Sequence, residues 1–147
     1  MIYSKRVEKA MRLAFTAHEF QTDKGGYPYI AHPIHLAEQC STESETIVAL
    51  LHDVIEDAPN FRQNVEKIAT EEELEAIRRL THIRWETYEE YIDKVAESPL
   101  ARKIKMLDLK HNLDETRLPI AMPESHKQRY TKALQTLEKL EFSDPKT

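Results

Sequence analysis

Apolar residues recur at helical spacing along most of the chain. Val7, Ala10, Met11, Ala14 and Phe15 share one face of a segment running from Ser4 to Phe20, the mark of a helix packed on one side. Asp23-Lys24-Gly25-Gly26-Tyr27-Pro28 breaks that pattern as a loop. A second helix is predicted from about Ala31, with Pro33 in the first turn, where its missing N–H costs little. Thr42 followed by Glu45 has capping-box spacing and opens a third helix. Ile47, Val48, Leu50, Leu51, Val54 and Ile55 make that helix apolar nearly all round. Such a helix belongs at the centre of a core, and Pro59 ends it.

The remaining segments repeat the same grammar. A shorter helix is expected from Phe61 to Ala69. Thr70 with Glu73 and Thr87 with Glu90 have capping-box spacing and open two more. Ser98-Pro99 reads as N-cap and first residue of a helix reaching about Thr116. Pro119 and Pro123 frame a loop. A last helix carries Tyr130, Ala133, Leu134, Leu137 and the polar exception Glu141, and the tail from Ser143 is expected to fray. The β-branched, period-two runs of strands are absent. The pattern predicts an all-α chain.

Composition narrows the class. The chain has 147 residues, 40% apolar and 32% charged, which fits one soluble domain, residues 1–147, with a single core. Its two glycines are adjacent, which disfavours a sheet protein with many tight turns. A net charge of −5 argues against general attraction to nucleic acid or an anionic membrane. The lone Cys40 excludes an intrachain disulfide and suits a reducing, cytoplasmic compartment. No stretch reads as a membrane span or a signal peptide. An anionic substrate would need a local positive patch or a metal. The sequence does not specify an oligomeric state.

The segment Leu50-Leu51-His52-Asp53-Val54-Ile55-Glu56-Asp57 carries the chemistry. It places four metal-capable or acid–base residues at the end of an otherwise apolar helix, and buried charge must be paired or bound to metal. Helical spacing sets His52 near Glu56 and Asp53 near Asp57. His32 and His35, three apart, can share a face. Asp108 lies in the apolar run Ile104 to Leu109, with Asn112 four residues on. Two imidazoles with two carboxylates suit manganese, iron or zinc better than calcium. Other groups have blander readings. Glu71-Glu72-Glu73 is a dipole-favoured helix start, Trp85 a packing anchor, Cys40 a small apolar residue. His82, His111 and His126 are surface or capping residues. Lys105, Lys110 and Arg84 can add positive charge to a phosphate pocket.

Three blocks together resemble the HD-domain phosphohydrolases, and more narrowly the hydrolase domain of the RelA/SpoT alarmone enzymes and their small stand-alone forms. They are Ala17-His18 with Lys24 to Pro33, which is similar to "PYI-x-HP"; Ala49 to Asp57, similar to "LLHD-x-x-ED"; and Lys105 to Leu113, similar to "KLAD-x-x-x-NL". The resemblance implies a compact HD-domain helical bundle of about seven or eight helices. It implies that His32, His52, Asp53 and Asp108 hold one divalent ion, typically Mn2+. Glu56 and Asp57 would be the catalytic acids, Asn112 would contact the nucleotide sugar, and Lys24 would face the base or phosphates. His18 matches a position that is not a ligand. The implied reaction removes the 3′-pyrophosphate of guanosine tetra- or pentaphosphate.

The chain departs from that pattern at Asp23, where the family usually has an arginine that stacks on guanine, and at Asp114, another arginine position. Two further readings stay open at this point: an HD phosphohydrolase acting on another nucleotide or phosphoester, and a non-catalytic metal- or nucleotide-binding module.

Overall fold

The computed structural model describes residues 1–117 and 121–143. Among these the chain folds into nine α-helices: α1 (Lys5–Ala17), α2 (Ala31–Glu38), α3 (Glu43–Leu51), α4 (Val54–Asp57), α5 (Arg62–Ile68), α6 (Glu71–Leu80), α7 (Tyr88–Ala96), α8 (Pro99–Leu113) and α9 (Glu124–Ser143). Short 3-10 turns cover Pro59–Phe61 and Glu115–Arg117. Because α4 is a single turn, the full-length helices match the expected bundle. Extended pairing among the described residues is limited to an isolated bridge between Thr22 and Pro28, which closes the loop after α1.

Side-chain caps open the helices at the predicted Thr70, Thr87 and Ser98, and also at Ser4. Ser4 Oγ accepts from the Val7 N–H, and Ser98 Oγ from that of Ala101. Thr70 with Glu73 and Thr87 with Glu90 form complete capping boxes. The box at α3 is only half made. Thr42 accepts from the Glu45 N–H, but the Glu45 carboxylate accepts from the Ser41 N–H and pairs with Lys103.

Helix α3 is the centre of the molecule. Every residue from Thr46 to Leu51 is buried, and the helix packs on α1, α2, α6 and α8. Arg6 on α1 ties this arrangement together. Its guanidinium grips both oxygens of Glu73 at 2.7 and 2.9 Å and also reaches Glu43 and the Ile68 carbonyl. Ser44 and the Thr70 N–H fill the remaining acceptor sites of Glu73. Glu73 is therefore a buried partner joining α1, α3 and α6, rather than only an acid favoured by a helix dipole.

Other expectations need correction. The helix expected to run on to Pro59 breaks at His52-Asp53, between α3 and α4. Helix α8 stops at Leu113, since Asp114 leaves helical geometry and its carboxylate accepts from both the N–H and the hydroxyl of Thr116. Trp85 is 84% exposed and anchors no packing. Pro119 and the tail beyond Ser143 lie outside the described residues.

Candidate metal centre

Three elements converge on one buried point: α2 brings His32, the turn between α3 and α4 brings His52 and Asp53, and α8 brings Asp108. Positions 105, 108, 111 and 112 share one face of α8 by helical spacing. Ligand-capable atoms of His32, His52 and Asp53 lie within 4.8 Å of one another. Asp108 completes the group, with Oδ1 2.8 Å from His32 Nε2 and 3.9 Å from His52 Nε2. Sequence spacing alone left open whether these four residues meet, and the fold brings them together.

The hydrogen bonds around them fix orientation. His52 Nδ1 lies 2.6 Å from the Ala49 carbonyl, which only accepts, so Nδ1 carries the hydrogen. The tyrosine hydroxyl of Tyr29 donates to Asp53 Oδ2. Lys105 Nζ sits 2.7 Å from Asp108 Oδ2, and Asn112 Nδ2 donates to Asp108 Oδ1 at 3.1 Å. His18 is buried, bonds Gln21 through Nδ1, and packs beside Tyr29 outside the cluster.

The donor set fits a cation. His52 Nε2 is buried without a hydrogen-bond partner, yet it faces Asp53 Oδ2 at 3.0 Å. An imidazole lone pair confronting carboxylate oxygens requires positive charge between them, either a proton or a metal ion. Burial opposes protonation of His52, but Asp53 and then Asp108 outweigh it and raise its pKa to about 9. Burial would also raise Asp53, but His52 holds it down at about 2. Asp108 stays well below the usual carboxylate range despite its burial, chiefly through Lys105 and then His32. Burial and the Asp53 charge push the Tyr29 phenol well above its ordinary range.

The site opens into a cavity of about 350 Å³, lined by His52, Asp53, Glu56, His82, Lys105, Asp108, Asn112 and Arg129 among others. Glu56 stands at its rim, where the His82 N–H donates to it at 2.7 Å. Lost hydration raises the Glu56 carboxyl, and the Asp53 charge adds to the rise, against the His82 bond. Asp57, the next residue, is raised to about 7 by lost hydration and by the charges of Asp53 and Glu56. Its side chain is not among the groups lining the cavity.

Lys24 lies in a smaller cavity of about 240 Å³ with Asn112, Asp114, Glu115 and Met122. Asn112 lines both cavities. A cavity of about 470 Å³ between α7 and α9 contains none of the His–Asp cluster and meets the site only at Tyr88 and Arg129.

Several groups have roles that sequence reasoning missed. Asp23 caps its own loop, accepting from the N–H groups of Gly25 and Tyr27, which is the ordinary use of an aspartate in a turn. His111 is bonded to His32 at 2.7 Å rather than lying free at the surface. His82 holds Glu56 and lines the cavity. Arg129 packs over the rings of Tyr88 and Tyr130 at the cavity wall. No periodicity marks His111 or His82, since each is defined by a partner distant in sequence, and the turn role of Asp23 is local.

No model of a protein family matches the chain. It is 32% identical over 124 residues to the bifunctional (p)ppGpp synthase/hydrolase SpoT of Escherichia coli strain K12, a match covering 74% of this chain and 18% of that protein. It is 28% identical over 123 residues to the guanosine-3′,5′-bis(diphosphate) 3′-pyrophosphohydrolase of Aquifex aeolicus, covering 76% of this chain and 18% of that one. The chain thus spans about 18% of the length of these curated relatives. A solved structure of a metazoan ortholog of SpoT, described as hydrolyzing ppGpp, superposes with a TM-score of 0.74 at 22% identity, covering 95% of this chain and 87% of that one. At that identity the likeness shows the fold. In sequence and in its all-α HD-type fold, the chain is RelA/SpoT hydrolase-domain-like.

Proposed function

We propose that this chain is a metal-dependent hydrolase of nucleoside polyphosphates that removes the 3′-pyrophosphate of guanosine tetra- or pentaphosphate. The observation that carries the reading is the buried, unpartnered His52 Nε2 aimed at Asp53 and Asp108, beside a cavity rimmed by Glu56. The sequence similarity to named (p)ppGpp 3′-pyrophosphohydrolases supplies the substrate class. In this reading residues 1–147 are one HD-type domain acting in the cytoplasm. Among the described residues no helix is long and apolar enough to cross a membrane.

His32, His52, Asp53 and Asp108 would hold the ion, and Mn2+ suits their mixed nitrogen and oxygen donors. A divalent cation there supplies a lowered pKa for water and a counter-charge for phosphoryl oxygens. The chain's own residues do the rest. Lys105 and Asn112 hold Asp108 in place. Glu56, fixed by the His82 N–H, orients the attacking water from the rim. Asp57, raised to about 7 by lost hydration and the charges of Asp53 and Glu56, would be the second catalytic acid. The oxygen of water joins phosphorus, the P–O3′ bond breaks, and the 3′ oxygen leaves with a proton. Arg129 and the paired Lys105 make the cavity wall attractive to phosphate. Asn112 contacts the sugar, and Lys24 faces the base or phosphates from the adjoining cavity.

A second reading, hydrolysis of another nucleotide or phosphoester, draws on Asp114 and Glu115. They place negative charge beside Lys24, where a further phosphate would be repelled. Phosphate and pyrophosphate release from a nucleotide panel, with and without Mn2+, decides between them. Pyrophosphate released only from 3′-pyrophosphorylated guanosine nucleotides supports the first reading. Release from monophosphates alone overturns it in favour of the second, and no turnover on any substrate leaves a binding module.

A further inference from the structure

We propose that His111 is a positioning residue that sets the tautomer of His32, and that it exchanges donor for acceptor when a divalent cation enters the site. The proposal rests on the cation reading given above. His32 Nδ1 and His111 Nδ1 stand 2.7 Å apart, with the two rings within 7° of parallel. Two nitrogens at that distance share one hydrogen, so one ring donates and the other accepts. At its other end His32 Nε2 lies 2.8 Å from Asp108 Oδ1, and a carboxylate only accepts.

For two neutral rings with no cation bound, these distances permit one arrangement. His32 carries its hydrogen on Nε2 and gives it to Asp108, so its Nδ1 is a lone pair and must accept from His111 Nδ1–H. A cation bound through His32 Nε2 needs the opposite arrangement: the lone pair at Nε2, the hydrogen at Nδ1, and His111 accepting. His111 then carries its own hydrogen on Nε2. Each neutral ring loses one N–H and gains one, so the pair rearranges with no net gain or loss of protons. A ligating histidine normally donates its outer N–H to a fixed carbonyl or carboxylate, as His52 does to Ala49. A fixed acceptor beside His32 would leave the cation-free state with two lone pairs in contact. A second imidazole serves both states.

The ring of His111 is held for this task. His35, one turn after His32 on α2, stacks on it with centroids 4.0 Å apart and planes 20° apart. His32 and His35 thus clasp His111 from one face of α2. His111 itself is only half-buried, which leaves solvent a route to carry the protons.

The test compares Mn2+ affinity of the wild-type chain, His111→Leu and His111→Asn. Asparagine presents either an acceptor or a donor near the Nδ1 position, whereas leucine presents neither. The expected result is a roughly 10–100-fold weaker Mn2+ affinity for His111→Leu and recovery to within about threefold for His111→Asn. Wild-type affinity in His111→Leu, or equal loss in both variants, overturns the proposal. Nitrogen NMR of the wild-type rings, with and without diamagnetic Zn2+, covers the case in which a variant fails to fold. His111 should move from the Nδ1–H to the Nε2–H tautomer on Zn2+ addition, and an unchanged tautomer overturns the proposal. A wild-type chain that binds neither ion overturns the cation reading and this inference together. Binding by the wild type with unaffected variants overturns this inference alone.

Discussion

Two buried polar residues show how far single positions can be read from sequence. His52 was legible because a histidine and three acids followed an apolar run. Glu73 was not, because an acid in a helix's first turn looks the same whether solvated or gripped by Arg6 from another helix. Burial would raise the Glu73 carboxyl, but the bonds from Arg6, Ser44 and the Thr70 N–H outweigh it and hold the pKa below its ordinary 4.5. The unfolded chain therefore binds this proton more readily. The contribution of Glu73 is complete above the unfolded value and is lost as pH falls through the folded one. Glu73→Gln should cost about 3–5 kcal/mol at neutral pH, as expected when one partner of a buried pair is removed. Urea unfolding from neutral pH down to about pH 3 should then show a shallower acid loss than wild type; an unchanged acid slope would assign that loss to other carboxylates. At the site, Glu56→Gln should keep Mn2+ affinity and lower kcat roughly 10²–10⁴-fold. Unchanged turnover would remove Glu56 from the chemistry.

At the scale of elements, most boundaries were written in caps and prolines. Thr70, Thr87 and Ser98 each cap the helix predicted to start there. The break between α3 and α4 was hidden. His52 and Asp53 keep right-handed dihedrals, −59°/−29° and −106°/−1°, and neither residue is a helix breaker, so the local sequence gives no signal. The interruption nonetheless matters, because it turns the two side chains toward α2 and α8 rather than along the helix. The capping account is checked with Thr87→Ala, which should lose about 1 kcal/mol of stability by denaturant unfolding. A loss indistinguishable from zero would show that the box at α7 adds nothing. Leu50→Ala in fully buried α3 should lose about 2–5 kcal/mol. A small loss would contradict the central place given to that helix.

For the whole molecule, the informative distances are long ones. His32 and Asp108 lie 76 positions apart yet bond at 2.8 Å. Only the motif resemblance could pair them in advance, since no helical period links α2 to α8. The same holds for His111, whose partner lies 79 positions away and which reads from sequence as a surface or capping residue. The fold's contribution is to bring three elements to one point and close Tyr29, Lys105 and His111 around it. The chain's negative net charge then makes a local cation at that point the natural means of holding a polyanion. The central claim is that the His–Asp cluster is a divalent-cation site. It is tested most directly by titrating Mn2+ into the wild-type chain and into Asp53→Ala. One ion per wild-type chain and none in the variant is the result this account predicts; full occupancy in Asp53→Ala, or no ion in the wild type, would contradict it.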